Sequence, residues 1–519
     1  MMIDGRLMTK QIYNAKVDGC RSHGKSQLKI YSYEEAIDLT GKGRYNVGLL
    51  ATLSLAIIGM GIDMFGISVI VTVSNCEFDL SQSKKSIILS MPFLGAILMA
   101  YPWGYISDTK GRKLSLTIAL WGGFIFSALS AFSSNWIVLA AFRFLSTCFC
   151  SCANSSSYAL LAESCPGKQR GSYMLIMSSI LNLGFMSYMA TAFVVLKLSF
   201  MVDLGLITFV PWRLLTIVLA LPLGISALCL HFFFESPKFL INIGKDREAL
   251  DYLHNIWRRN GRNGNSYPVN KVTLNEEGTV RCKGMSLIKS LWYQTAPLFK
   301  PPLLFRTLQL YYLTTAIFSI TGGLFIWFPF LAKSFASGVE SAIDGESTGL
   351  CNMISASKST NATHTNMQCP AKIELTIFTA AVVEGVVFVS MNLVVAQLST
   401  RKKAIMLAVL LTCAASAIAT VVVTNNIAAL IFFFGVLLNV VCSGLVFSYC
   451  VDLYPTSYRG MAACLGVMVA RISSVIGINL LGAFITTKCE FSFYAISIYL
   501  FSAAAVACFL PPDRPKKES

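Results

Sequence analysis

Long apolar runs alternate with short polar breaks along nearly the whole chain. Twelve runs stand out, at about residues 47–73, 86–106, 114–132, 136–160, 172–196, 212–233, 305–331, 373–398, 404–424, 427–450, 461–486 and 491–510. Each approaches or exceeds the roughly twenty residues that a helix, rising about 1.5 Å per residue, needs to cross about 30 Å of hydrocarbon. Gly, Ser and Thr recur within them, as expected where helices pack closely in lipid. The pattern predicts an all-α integral membrane protein with twelve transmembrane helices, spans 1 to 12. Residues 1–46 are polar and lack the short apolar core of a cleavable signal peptide, so span 1 is expected to persist in the mature protein.

Composition agrees. Hydrophobic residues make up 55% of the 519 and charged ones 13%, against about 25% charged in soluble domains. The net charge of +16 suggests a nucleic-acid partner until its distribution is read. With the N-terminus cytoplasmic, about three quarters of the 42 Lys and Arg fall on the cytoplasmic side, which is the positive-inside rule. The charge thus reports topology, with both termini cytoplasmic and no nucleic-acid partner. The expected division is a cytoplasmic segment 1–46, a six-helix half 47–234, and a cytoplasmic linker 235–303 with short helices. A second six-helix half 304–510, with an outer loop at 334–371, and a tail 511–519 complete it.

The linker can be read locally. Ser236 makes a good N-cap with Pro237 in the first turn. A second helix is expected from near Asp246 to Gly261, with Leu250, Leu253, Ile256 and Trp257 on one face. That face could pack in a small helical bundle or rest on the membrane.

The cytoplasmic loops repeat. GYISDTKGRK (Gly104 to Lys113) follows span 2, ESCPGKQRG (Glu163 to Gly171) follows span 4, and DLYPTSYRG (Asp452 to Gly460) follows span 10. Glu163 and Asp452 each precede a Pro by three residues and an Arg by seven. The same offset carries Asp108, Gly111 and Arg112 onto Gln397, Thr400 and Arg401, so the second copy keeps its Arg and loses its acid and Gly. Parallel repetition of six spans is one way transporters build a central site between two halves.

These residues also carry a likeness. GYISDTKGRK resembles the signature loop of the major facilitator superfamily, and the Glu/Pro/Arg-Gly loops resemble those of its sugar-porter and organic-ion branches. Glu235-Ser236-Pro237-Lys238-Phe239-Leu240 is similar to the sugar-porter PESPRFL, with Phe234 replacing the first Pro. Pro211-Trp212-Arg213, the ESP segment and Trp327-Phe328-Pro329 resemble the synaptic vesicle glycoprotein 2 family, without its large outer domain. The resemblance implies the major facilitator fold of two pseudo-symmetric six-helix halves and secondary transport of a small organic solute by alternating access. Protons are a candidate co-substrate, and the plasma membrane or a vesicle membrane is the expected location. It implies a monomer, with no enzyme activity and no cofactor. The alternative is a transport-poor regulatory protein of vesicles, towards which the loss of the acid and Gly at Gln397 and Thr400 leans.

Within that frame Gly104, Asp108, Gly111, Arg112, Glu163, Arg170, Asp452 and Arg459 are candidates for a cytoplasmic gate. Gly111 would permit a tight turn, and the arginines would form forked pairs with Glu163 or Asp452 while the cytoplasmic ends are together. The plainer reading makes them interfacial charges that only obey topology.

Four ionisable residues fall inside spans, where each costs roughly 2.5–3.5 kcal/mol or more unless paired or wet. They are Asp63, Arg143, Glu384 and Arg471. Counting about 1.5 Å per residue from the outer ends, the first three lie about 10–16 Å deep and Arg471 near 22 Å. An Asp63–Arg143 pair resembles the acid–arginine pair of proton-coupled sugar porters, and a static salt bridge is its plainer reading. Both residues are expected on the central cavity, with Glu384 on the opposite wall, free to titrate or to hold a cationic group. Trp327 is open between membrane-interface anchor and cavity-lining aromatic.

In the outer loop Cys351 and Cys369 flank the sequon Asn361-Ala362-Thr363, and an oxidising compartment would allow their pairing and glycosylation of Asn361. No P-loop and no ordered Cys/His spacing appears, so neither ATP hydrolysis nor a metal is expected.

Overall fold

A computed structural model describes residues 30–205, 207–261, 267–273, 295–342, 351, 354, 375–397, 401–454 and 456–511. Among them twelve spans form. The first half holds spans 1 to 6: Arg44–Phe78, Gln82–Lys110, Arg112–Leu129, Trp136–Ser164, Gly167–Val195 and Pro211–Leu230. The second holds span 7 (Leu304–Ala342), span 8 (Leu375–Gln397) and span 9 (Lys402–Val422). Span 10 joins Asn426–Leu437 to Val441–Leu453 through one tighter turn, and spans 11 and 12 are Thr456–Phe484 and Cys489–Cys508. Local chemistry fixes several starts. Ser81 accepts from the Lys84 amide at the head of span 2. Asn135 accepts from Ile137 and Val138 at the head of span 4, and Pro211 opens span 6, where its missing N–H has no helical partner to lose.

Neighbours repeat between the halves. Span 1 packs on span 5 as span 7 does on span 11, and span 3 on span 6 as span 9 does on span 12. The halves join through span 2 against span 11 and span 5 against span 8. The repeat offset holds at the level of helix ends. Glu163 is the penultimate residue of span 4 and Asp452 of span 10, while Arg170 and Arg459 are each fourth in the helix that follows.

At one end of the helix bundle the described part of the linker packs with the N-terminal segment. Ser236 caps Pro237–Asn242 by accepting from the Phe239 amide. Helix Asp246–Arg259 buries Leu253 and Trp257 against Tyr33, Ile37, Tyr267, Val269 and Val272, and Ile256 against the base of the first half. Its apolar face is therefore used by protein, which removes the membrane-surface alternative. The N-terminal segment is ordered here too: Ile30–Ser32 pairs in parallel with Lys271–Thr273, and Tyr33–Thr40 is a helix closed by a Ser32/Glu35 capping box.

The outer loop corrects one expectation. Cys351 forms its disulfide with Cys489, the first residue of span 12, with Cα atoms 5.5 Å apart, and not with Cys369. Proximity along the loop misled, because Cys351 lies beside the first residue of span 12. Cys369 and Asn361 lie outside the described residues.

Candidate functional site

Asp63 and Arg143 meet. The Arg143 Nη1 donates to Asp63 Oδ1 at 2.9 Å. Ser127 of span 3 donates to the same oxygen at 2.6 Å, and Ser146 of span 4 donates to Oδ2 at 2.7 Å. Ser146 follows Arg143 by three residues and so shares its helix face. Both charged residues are only 1% exposed. The arrangement corrects the expected cavity position: the pair is sealed inside the first half among spans 1, 3 and 4. Three hydroxyl or guanidinium donors replace the water that the carboxylate gave up. Arg143 fares worse, since its Nε and Nη2 find no acceptor. Unmet donors on a buried cation are costly.

Glu384 lies on span 8, but its side chain, like those of Asp452 and Arg459, is outside the described residues. Trp327 is 1% exposed and donates its indole N–H to the Ile478 carbonyl of span 11 at 3.0 Å. It therefore bolts two helices of the second half together, neither anchoring at the interface nor lining a cavity.

Arg471 stands apart. Its Nη1 is buried without a hydrogen-bond partner, and no salt bridge among the described residues reaches it.

At the end of the bundle next to the linker Arg112 is the hub. It pairs with Asp108 at 3.0 Å and with Glu163 at 3.1 Å, and donates to the Ser107 carbonyl. Glu163 also accepts from the Ser236 hydroxyl. Arg170 departs from expectation, pairing with Glu34 of the N-terminal helix at 2.9 Å. Asp38 of that helix accepts from the Gly167 amide, and the Tyr33 hydroxyl donates to the Glu163 carbonyl. All these partners belong to the first half or its attached segments, so the pairs brace that half and do not bridge to the other. Gly111 is placed as expected: its φ is +114° and a Cβ would strike the Glu235 carboxylate. Glu235 accepts from the Lys113 and Leu114 amides at 2.8 and 3.2 Å, giving span 3 an acidic cap. Gly104 meets no neighbour that would restrict a side chain. Sequence reasoning missed Glu235 in this role, although it stands in the ESP segment. It also missed Arg213, which is buried, binds Glu77 and donates to the Ala131 and Ser133 carbonyls.

Across the halves, direct side-chain contacts cluster near the outer ends. Asn479 of span 11 donates to Ser90 of span 2 at 2.7 Å, and Gly482 lies against Ser86. Phe193 of span 5 stacks on Phe378 of span 8 with centroids 4.5 Å apart. Outside this closure lies a cavity of about 670 Å³ whose walls include Asn75, Lys85, Phe330 and Asn479.

The sequence profile of the Major Facilitator Superfamily matches residues 52–478. Mouse synaptic vesicle glycoprotein 2C is 26% identical over 329 residues, covering 59% of this chain and 45% of that protein. Organic cation/carnitine transporter 7 of Arabidopsis thaliana is 28% identical over 233 residues, 44% of each chain. The chain thus spans less than half the length of these curated relatives. Among solved structures, a D-xylose–proton symporter superposes with a TM-score of 0.63 at 16% identity, covering 91% of this chain and 99% of the other. Helix count, paired halves, repeated loops and the profile match agree: the chain belongs to the Major Facilitator Superfamily.

Proposed function

We propose that this protein is a secondary transporter that carries a small organic solute across the membrane by alternating access. One observation carries the reading. The two halves meet along equivalent seams, span 2 with span 11 and span 5 with span 8, and the contacts there are made by small or flat side chains. Such seams can part at one end while the apolar packing that runs between the halves is kept at the other. Two named relatives point the same way: one is called an organic cation/carnitine transporter and one solved neighbour a xylose–proton symporter.

Proton coupling through Asp63 is the finer proposal. Arg143 keeps two donors unmet, so protonation of Asp63 would free a cation that a local rearrangement of spans 1, 3 and 4 must accommodate. Uptake of a radiolabelled solute panel into proteoliposomes, with and without an inward-directed proton gradient, tests both levels. The reading expects saturable uptake, with gradient-driven accumulation lost in Asp63→Asn while exchange persists. Saturable uptake indifferent to the gradient removes the coupling. Absence of uptake above empty vesicles for every solute leaves the regulatory, transport-poor reading, which Gln397 and Thr400 favour.

A further inference from the structure

We infer that Arg471 is the anchor for the carboxylate of an organic anion or zwitterion bound between the two halves, an inference that rests on the transport reading and names its substrate class. The position follows from helix geometry. Residues seven and eleven apart share a helix face, so Arg471 lies on one stripe with Cys464, Ile478 and Gly482. At one end of that stripe Cys464 is within electrostatic reach of Asp108 on span 2. At the other, Gly482 lies against Ser86 of span 2 and Trp327 of span 7. Lipid is met by a different face, at Ile472, Ile476 and Leu480. Arg471 therefore projects from the seam side of span 11, about 16 Å below Gly482 at about 1.5 Å per residue.

Charge makes the second half of the case. Asp63 is matched by Arg143 and Glu77 by Arg213. Arg471 has no such match among the described residues, and its Nη1 is withdrawn from solvent with no acceptor. A guanidinium cannot shed its charge as a lysine can, so an unpaired one held inside a membrane protein marks a place where an anion arrives. The planar fork suits a carboxylate, which can take two parallel N–H bonds where a hydroxyl or amide takes one. The ligand would meet this charge only after passing the Ser90–Asn479 contact, which places the anchor inside the closed region and apart from the outer cavity.

The test uses purified full-length protein in lipid nanodiscs and follows thermal unfolding with matched pairs of probes at equal ionic strength. The pairs are benzoate with benzamide, hexanoate with hexanamide, and succinate with succinamide. At least one carboxylate is expected to raise the midpoint by about 2 °C or more while its amide does not. Arg471→Gln should weaken that response by roughly 10- to 100-fold, and Arg471→Lys, which keeps the charge and loses the fork, by less. Leu480→Ala, on the lipid face, should leave it in place. An amide as effective as its acid, no response to any carboxylate, or an unchanged response in Arg471→Gln overturns the inference. So does equal loss in Glu384→Gln with recovery in R471Q/E384Q, which would make Arg471 an internal counter-ion. If Arg471→Gln fails to fold, the acid–amide comparison in the wild type and the lysine variant still decide. Carboxylate binding without uptake would refute the transport reading and spare this one; uptake of cations or neutral solutes with no carboxylate effect would do the reverse.

Discussion

At the residue scale the central feature is a buried acid–arginine pair whose two members are unequally served. Asp63 has three donors, whereas Arg143 spends only Nη1 and leaves Nε and Nη2 unmet. An isolated acid can escape its burial by taking up a proton, but an isolated arginine cannot. Asp63→Asn should therefore destabilise the protein by about 3–5 kcal/mol, and more than Arg143→Met does. The double variant D63N/R143M should recover most of that loss, because it removes both charges and leaves an apolar filler. Thermal unfolding of the four proteins in nanodiscs reads the cycle, and additive losses would mean that the pair is not a coupled unit. Equal depth in spans 1 and 4 made the pairing legible in the sequence. The direction of the pair was not. It depends on Ser127 and Ser146, ordinary hydroxyls whose role is set by how spans 3 and 4 rotate against span 1.

At the element scale the surface of the first half next to the linker is braced twice. Glu235 caps span 3 across the positive-φ turn at Gly111. Gly111→Ala should cost about 1–2 kcal/mol through backbone strain and displacement of that cap, with Glu235→Gln costing less because an amide oxygen can still accept. The N-terminal helix Tyr33–Thr40 is the second brace, held to the span 4–5 loop by Glu34, Asp38 and Tyr33. Burial, reinforced by Glu163 and Glu34, pushes the Tyr33 hydroxyl well above the usual phenol range. The docked state thus holds its proton more tightly than the free helix, so docking is complete below about pH 10 and weakens as pH rises beyond it. Hydrogen exchange across residues 33–40 should show the helix loosening in that alkaline window, and Tyr33→Phe should remove the dependence. Protection unaltered up to pH 11 would mean that the phenol does not hold the helix.

Legibility at this scale followed local signals. Ser236 with Pro237, Asp246, and the repeated Glu163 and Asp452 loops each announced a helix end through caps and breakers, and those ends lie where the chemistry put them. The N-terminal segment read only as polar. Its capping box at Ser32 and Glu35 is a local signal that identifies it in retrospect, but its strand pairs with residues about 240 positions away, and pairing at that range leaves no pattern in a short segment. Arg170 misled for the same reason, since its partner Glu34 belongs to that segment. Trp327 misled differently: depth alone makes an aromatic near a span end look like an interface anchor, and only the approach of Ile478 shows it turned inward.

For the whole molecule the claim is that two equivalent halves exchange which end is closed. Here the outer ends touch through Ser86, Ser90 and Phe193 of the first half and Gly482, Asn479 and Phe378 of the second. The pairs of Arg112 and Arg170 brace one end of the first half through such a motion. Ser86 is buried in the seam, so Ser86→Trp should wedge the outer ends apart without disturbing the core of either half. The decisive measurement is counterflow in proteoliposomes, in which unlabelled solute inside draws labelled solute in, comparing wild type with Ser86→Trp. Alternating access predicts trans-stimulated exchange by the wild type and its loss in a folded Ser86→Trp protein that can no longer close outside. A wild type without exchange above empty vesicles, or a Ser86→Trp variant exchanging at the wild-type rate, would contradict it.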